Sequence, residues 1–528
     1  MAHTMKLEYE ETSSGVEGIK KVHITPKTPL KLTKFVLFTS SIIHSELIKS
    51  NQTMLNRVIT NGFDFYLEQQ IHHLEKFWIA SLIEIEGNDE INQMLQYNIY
   101  QLNSSHLGLS DFNICSKGLS GEGYEGHYFW DTEIYMFPFF LYTNPKKAKA
   151  LIENRFKHLK EAKIEAYKLG VTHGAKIPWR TIRGNELSPY YPAGSAQFHI
   201  NSDVAYTIIK YMEMTQDVEF LKETGFELLV ETGRFLLYAG NFENDKFHIN
   251  TVTGPDEYSA IVNDNYYTNA MAKYHFDKIV EYSHQYSKML ISVKKKINLV
   301  SQEIDIFSKA SREMVLLFDE KRQIFAQDAQ FLQKPILDLK SIPEENFPLL
   351  LHYHPLFIYR HQVLKQADTL LALYLLNYKD FPILRNNFDY YLPLTTHDSS
   401  LSKCIYSIIA AKLGDSNLAV KYLLDVLRID FENTHHNTHH GLHVANLGGS
   451  YLAITNGLLG LEIDKDSLSI HPVLPNEFKR ITIHLGYKDT NLCFKISPST
   501  IEISTDKPIQ IGIYNDLVFI ENEYRCDI

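Results

Sequence analysis

Residues Gly254 to Tyr258 read Gly-Pro-Asp-Glu-Tyr, inside a tract, HINTVTGPDEYSAIVNDNYYTN, crowded with groups that hydrogen-bond sugars. Glu257 is its candidate general acid. Pro255 disfavours helix at its predecessor and sets a stiff turn, so the carboxyl sits at the mouth of an element and not on a solvated flank. The plain alternative is a surface turn with an ordinary glutamate. Company elsewhere in the chain decides between them.

That company comes in five further segments. In GLSGEGYEGHYFWDTEIYMFP, Gly118 to Pro138, four glycines let the backbone approach a ligand, and Trp130-Asp131 offer a stacking face beside a bidentate acceptor, although a core Trp next to a capping Asp reads the same way. HGAKIPWRTIRGNELSPYYPAGSAQFHIN, His173 to Asn201, is a long polar-aromatic stretch without helical period, of the kind that carries function in compact domains. Lys365 and Gln366 precede an apolar helix and either bind sugar hydroxyls or simply begin that helix. Ser399 and Ser400, in TTHDSSLSKCIYS, sit at a helix start, where hydroxyls and free N–H groups bind phosphate or cap the helix. Last, NTHHNTHHGLHVANLGGSY holds His435, His436, His439, His440 and His443. No carboxylate or thiolate joins them, so no metal site is expected.

Elements that position these segments change texture along the chain. From Lys6 to about Ser40 the short alternating runs KLEYE, KVHIT and LKLTKFVLF predict strands. Near Ser45 to Ile85 the period lengthens: Leu67, Ile71, Leu74 and Trp78 share one helix face, which predicts a helical linker packed on the next domain. Helical signals dominate from about Glu90 to Leu461, and TNPKKAKALIENRF, TQDVEFLKETGFELL and LGDSNLAVKYLLDVL each read as one helix ending and another beginning, hence stacked helix pairs. After Asp464 strands return, enough for a small β-sandwich.

At 528 residues, 44% hydrophobic and 12% aromatic, the chain is long enough for a large central domain with appendages. A net charge of −11 argues against nucleic acid and anionic membrane as partners. Four cysteines without CxxC spacing indicate neither a disulfide framework nor a thiolate zinc site, and the N-terminus lacks a signal-peptide pattern, so a soluble cytoplasmic protein is expected.

GEGYEGHYFWDTE, the PWRT…YYPAGSAQFHIN loop, TGPDEY, KQAD and the HDSSLS…GLHVANLGG pair occur in the order found in glycoside hydrolase family 65, mostly inverting disaccharide phosphorylases. The chain resembles that family from about Ser45 onward. The resemblance implies a mainly α fold: residues 1–44 a remnant of an N-terminal β-sandwich otherwise lacking here, 45–89 a helical linker, 90–461 an (α/α)6-barrel catalytic domain, and 462–528 a C-terminal β-sandwich. It implies Glu257 as general acid. It places Trp130, Asp131, Lys365, Gln366, Arg180 and Glu186 at the sugar, and Ser399, Ser400, His443, Gly448, Gly449 and Ser450 at the phosphate.

The activity so implied is phosphorolysis of an α-linked glucose disaccharide, kojibiose- or nigerose-like by the wording of its motifs, to β-glucose 1-phosphate and a free sugar. Disaccharide and inorganic phosphate are the partners, with no metal or organic cofactor, and a homodimer is among the expected assemblies. Phosphate is already a nucleophilic anion, whereas hydrolysis by inversion needs a second carboxylate as base; GLHVANLGG has none, and Asp398 is the nearby acid that contests the point. Two alternatives stand beside this one. A hydrolase of the same family would cleave without phosphate, and a non-catalytic remnant would bind sugar without turnover. Ser259 after GPDEY, where the family has His, and Asn185, where an acid is common, bear on rate and specificity.

Overall fold

The computed structural model of the chain describes residues 8–12, 15–19, 30–31, 33–464 and 466–527. They fall into two units, residues 1–76 and 77–528. In the first, β1 (Glu8–Thr12) and β2 (Gly15–Ile19) form an antiparallel hairpin with Thr12 opposite Gly15. KVHIT lies outside the described residues. The strand expected over LKLTKFVLF is not formed: from Leu30 to Phe38 the described backbone joins no ladder, because alternation without a partner strand does not make a sheet. Helix α1 (Leu47–Ser81) follows and is broken at Gly62, whose φ of 77° and ψ of 171° only glycine adopts readily. Three positions of the predicted stripe, Leu67, Ile71 and Leu74, belong to this unit. The fourth, Trp78, belongs to the second unit and packs with Phe77 on its core.

The second unit opens with a strand that composition had hidden in the linker. Residues Ile83–Ile85 (β3) pair with Ile481–Tyr487, Ile483 opposite Ile83 and Ile481 opposite Ile85, so this piece of the expected 45–89 linker is the edge of the C-terminal sheet. Both isoleucines are fully buried while Glu84 between them faces out.

Between β3 and that sheet lie, among the described residues, six pairs of helices. The outer members are α2 (Asp89–Ser104), α4 (Pro145–Lys157), α6 (Phe226–Ala239), α8 (Ser301–Arg312), α10 (Phe381–Tyr391) and α12 (Ser416–Phe431). The inner members are α3 (Phe137–Thr143, led in by a π-helical turn at Thr132–Met136), α5 (Ile200–Thr215), α7 (Tyr266–Gln285), α9 (Thr369–Leu375), α11 (Ser402–Lys412) and α13 (Val444–Leu452). Each inner helix packs on the next, α3 on α5, then α7, α9, α11 and α13, and α13 returns to α3. The ring is closed: an (α/α)6 barrel.

The three junctions read from sequence are inner-to-outer turns, each stopped by a side chain that caps the outgoing helix. Asn144 accepts from Lys147 N–H at 3.3 Å with Pro145 at the first helical position, Asp217 from Phe220 N–H at 3.0 Å, and Asp415 from Leu418 N–H at 3.0 Å. Each cap satisfies a donor that the first turn leaves open, worth about 1 kcal/mol.

The C-terminal strands β4 (Glu462–Ile463), β5 (Leu468–Ile470), β6 (Ile481–Tyr487), β7 (Thr490–Ile496), β8 (Thr500–Thr505), β9 (Ile509–Ile513), β10 (Asp516–Ile520) and β11 (Glu523–Asp527) make two sheets, ordered β11-β8-β7-β6-β3 and β10-β9-β5-β4. Strict alternation in β6, with Ile481, Ile483, Leu485 and Tyr487 buried, shows one sheet face turned inward. One apolar core runs without a break from the helix pairs into these sheets. No helix among the described residues is long and apolar enough to cross a membrane.

Inner helices approach closely where glycine allows it. A Cβ on Gly448 in α13 would lie 2.1 Å from the Tyr135 carbonyl oxygen, whereas one on Gly457, nine residues further along, would meet Ile408 at an ordinary 3.4 Å. Gly448→Ala is therefore expected to lower stability by about 1–3 kcal/mol or more, and Gly457→Ala to leave it nearly unchanged. Midpoints of thermal unfolding measured side by side check the pair, and equal midpoints would contradict the packing.

Candidate active site

All six inner helices begin with a sequence segment singled out above. Trp130-Asp131 precede α3, Gln197 to His199 precede α5, the Gly-Pro-Asp-Glu-Tyr loop precedes α7, Lys365 to Asp368 precede α9, His397 to Ser400 precede α11, and His443 caps α13. Alternation of inner and outer helices brings these six starts to one rim of the barrel. Backbone bonds join neighbouring segments around it: Tyr128 N–H to Thr181 O at 3.0 Å, Thr253 N–H to Ala196 O at 2.9 Å, Thr396 N–H to Leu364 O at 2.8 Å, and Val444 N–H to Ser116 O at 3.3 Å.

The tightest junction holds the candidate acid. Asp256 Oδ1 accepts from Lys365 N–H at 2.8 Å and from Tyr258 N–H at 3.1 Å, and its Oδ2 accepts from Gln327 Nε2 at 2.8 Å. Gln366 Nε2 donates to Pro255 O at 2.6 Å, and Asp368 accepts from Asp256 N–H at 3.3 Å and from Asn265 Nδ2 at 3.1 Å. Gly254 is obligatory here, since a Cβ would stand 2.2 Å from Asp368 Oδ2. Asp256 and Asp368 are fully buried; burial pushes Asp256 up to about 7 and Asp368 well above the usual carboxylate range, the latter helped by the charge of Asp256. Glu257 leaves this clamp pointing outward. Its Oε2 lies 2.6 Å from Lys365 Nζ, and the two side chains keep 17% and 24% of their surface exposed. Burial alone would lower the Lys365 ammonium, but Glu257 beside it outweighs this and holds it above its ordinary value.

Around the pair stand Asp131, Tyr124, Arg180 and Tyr359, each close enough for its charge to be felt by another member. Burial pushes Asp131 up to about 7, with Glu257 and Glu133 acting in the same direction and Lys365 against it. Tyr124 and Glu125 both adopt left-handed backbone, φ 59° and 54°, at a cost of about 1–3 kcal/mol each. Glu125 Oε2 in turn accepts from Arg180 Nη2 at 3.2 Å. Tyr190 and Tyr359 meet hydroxyl to hydroxyl at 2.9 Å, closing an aromatic rim.

On the other side, Tyr258 O–H and Leu349 N–H both donate to Asp398 Oδ2, the latter at 3.1 Å, which fixes the segment carrying Ser399 and Ser400. Both serines are half-buried, and Ser399 Oγ accepts from Leu401 N–H at 3.2 Å. His443 is held twice by Asp430, N–H to Oδ2 at 2.8 Å and Nδ1 to Oδ1 at 2.7 Å, so Nε2 is the remaining polar atom of a ring 15% exposed. Of the other histidines, His435 packs edge-on to His443 with ring centres 5.9 Å apart, while His439 and His440 pack on each other at 3.9 Å.

Five residues expected at the ligand are employed elsewhere. Gly448, Gly449 and Ser450 are buried within α13, where the glycines make room for Tyr135 and Cys404 and Ser450 Oγ donates to Leu447 O at 2.7 Å. Glu186 accepts from Trp179, Arg180 and Ser188 N–H at 2.7, 3.1 and 3.2 Å, and from Lys176, and so braces the loop that presents Arg180. Gln366 braces Pro255. Trp130 is 3% exposed, edge-on to His199 at 5.1 Å, and walls the site behind Asp131. Sequence reasoning also missed the stretch from Phe331 to Tyr359, which supplies Leu349 and Tyr359. Its only signal was four prolines and many aromatics without helical period.

Asp131 allows a test. Its folded value lies above that of an unfolded chain, so its contribution to stability is present at low pH and is lost as pH rises through about 7. Asp131→Asn, uncharged throughout, should unfold at a higher temperature than the parent at pH 8 and by a smaller margin at pH 5. A margin that grows toward acid would reverse the assignment.

Residues 96–452 match the glycosyl hydrolase family 65 central catalytic domain, and residues 461–519 its C-terminal domain. An alpha,alpha-trehalose phosphorylase of Geobacillus stearothermophilus is 41% identical over 537 residues, covering 97% of this chain and 70% of the relative. A kojibiose phosphorylase of Halothermothrix orenii is 33% identical over 499 residues, covering 89% and 62%. A solved structure provisionally named a kojibiose phosphorylase from human microbiome superposes with a TM-score of 0.88 at 31% identity, covering 92% of this chain and 65% of that one. The chain thus spans about two thirds of the length of these relatives. With both domains matched and the fold reproduced, the chain belongs to glycosyl hydrolase family 65.

Proposed function

We propose that the chain catalyses inverting phosphorolysis of an α-linked glucose disaccharide, releasing β-glucose 1-phosphate and a free acceptor sugar. The carrying observation is the asymmetry of the carboxylates: Glu257 projects from a rigid clamp into the rim, while Asp398 already takes two donors on one oxygen and is tied to the loop framework. An acid with no free partner base suits a nucleophile that needs no deprotonation, namely phosphate. Glucose binds against Asp131 with Lys365 and Arg180 around it. Its arrival parts the Lys365–Glu257 pair, so that Lys365 turns to sugar hydroxyls and Glu257, taking a proton, reaches the glycosidic oxygen. Phosphate sits between Ser399, Ser400 and His443, attacks the anomeric carbon from the opposite face, and the departing oxygen receives the Glu257 proton. Neither metal nor organic cofactor takes part.

On the acceptor side a kojibiose- or nigerose-like linkage rests on motif wording, and the kojibiose phosphorylase relatives support it. The greater identity to a trehalose phosphorylase makes trehalose the first competitor to test. Tyr190, Tyr359, Glu125 and Arg180, which line the outer rim, are the groups placed to read the second sugar. Incubating the purified chain with kojibiose, nigerose, maltose and trehalose, with and without phosphate, and identifying the products is the direct test. Glucose released at equal rate without phosphate would make it a hydrolase.

Two substitutions separate the roles. Glu257→Gln should retain the fold and disaccharide binding but lose about three orders of magnitude in turnover of an unactivated disaccharide, since the amide has no proton to give; near-normal turnover would remove Glu257 from the acid role. His443→Ala, or Ser399→Ala with Ser400→Ala, should raise the apparent KM for phosphate about tenfold or more while that for the disaccharide changes little, in keeping with the loss of one or two charge-assisted hydrogen bonds. Equal rises in both constants would mark these residues as structural.

A further inference from the structure

Lys117 opens the glycine-rich segment and is only 4% exposed, yet among the described residues its ammonium takes part in no hydrogen bond or ion pair. A buried cation without a partner is unfavourable and is uncommon unless something else uses the charge. Its surroundings are built to admit it. The stem threads a slot walled by two glycines: a Cβ on Gly123 would come within 3.1 Å of Lys117 Cγ, and one on Gly441 within 2.9 Å of Lys117 Cβ. Gly441 makes the slot with φ 106°, and Gly121 and Gly123 rest directly on the His440 carbonyl, so the two loops are fitted to each other around this side chain.

The ammonium emerges at the boundary between the two halves of the site. Nζ lies 6.0 Å from the centre of the Tyr124 ring, on the sugar side. Burial pulls the Lys117 value down while Asp430 and Asp131 pull it back, so the charge stands between the carboxylate that faces glucose and the one that holds His443; the His435 ring also feels it. Neither carboxylate is near enough to pair with it. Apart from Lys117, the cations near this part of the rim are Lys365, paired with Glu257, Arg180, paired with Glu125 at 3.2 Å, and Lys403, paired with Asp425 at 2.8 Å. A dianionic nucleophile placed beside Ser399, Ser400 and His443 would find in Lys117 a cation that is not already paired. The plain alternative is that the methylene stem packs the loop pair and the charge is a by-product.

We infer that Lys117 is the cation of the phosphate subsite, its ammonium binding an oxygen of the attacking phosphate at the junction with the glucosyl subsite. This deepens the phosphorolytic reading and rests on it. A charge kept unpaired for an exogenous anion costs stability in the absence of that anion and repays it on binding.

Lys117→Met keeps the stem and removes the charge; Lys117→Gln is a second such variant, and Lys117→Arg restores a cation. The expected results are an unfolding temperature for Lys117→Met equal to or above that of the parent, loss of the upward shift that inorganic phosphate gives the parent, and an apparent KM for phosphate raised at least tenfold with the disaccharide KM within threefold. Lys117→Arg should recover part of the phosphate shift. A parent chain that turns over disaccharide without regard to phosphate would overturn the phosphorolytic reading, and this assignment with it. A phosphate-dependent parent whose Lys117→Met and Lys117→Gln variants keep the phosphate KM and thermal shift, or are destabilised with both KM values rising alike, would overturn the assignment alone.

Discussion

Two buried carboxylates, Asp256 and Asp368, are the constraint on which the rim depends. Neither is paired with a cation; each is held by N–H donors, Asp256 by Lys365 and Gln327 from other segments and Tyr258 from its own, Asp368 by Asp256 and Asn265. Side chains of this kind are costly to bury and costlier to leave unsatisfied, so the loops before α7 and α9 have essentially one mutual arrangement. That rigidity orients Glu257. A candidate acid must be placed to within a fraction of an ångström, and here the residues on both sides of it are held in the clamp.

The barrel gives the clamp its electrostatic setting. Six inner helices begin at the same rim and turn the positive ends of their dipoles toward it, a field suited to an anionic ligand. Against that background the site carries a graded set of carboxyls. Asp131 is raised by burial; Glu257, half-buried and paired with Lys365, projects into the rim; Asp398 and Asp430 are turned to structural use, one holding the serine segment and the other His443. Four carboxylates of one chemistry thus take different parts through burial and hydrogen-bond partners alone.

Left-handed backbone occurs at the rim as well as in turns elsewhere, Asn244 and Tyr514 among them. Tyr124 and Glu125 sit in left-handed backbone, and the glycine segment around them lies directly on the backbone of the loop at His440 and Gly441. Such contacts fix a loop that has neither helix nor strand to support it. They also couple the sugar side to the loop carrying His443, so both halves of the site share one piece of scaffold.

How much of this was legible in the sequence varies with the range of the interaction. Glu257, the helix pairs capped by Asn144, Asp217 and Asp415, and the alternating strands of the C-terminal sheets are local signals: a proline-set turn, a capping side chain before a periodic run, a period of two. The sequence by itself therefore determined the family and the succession of elements, and it singled out Glu257 as the candidate acid. It could not tell a ligand-facing group from a brace, because that depends on which backbone N–H comes within reach. Glu186 and Gln366 look like ligands until their acceptors and donors are seen to be taken by Trp179, Arg180, Ser188 and Pro255. Gly448 and Gly449 read as a loop for phosphate, and only the approach of α13 to Tyr135 and Cys404 explains them as packing. Ile83 and Ile85 became a strand because Ile481 and Ile483, about 400 residues away along the chain, offered an edge. Tertiary structure alone decided these cases, since each turns on a contact between segments whose separation along the chain carries no trace of their distance in space.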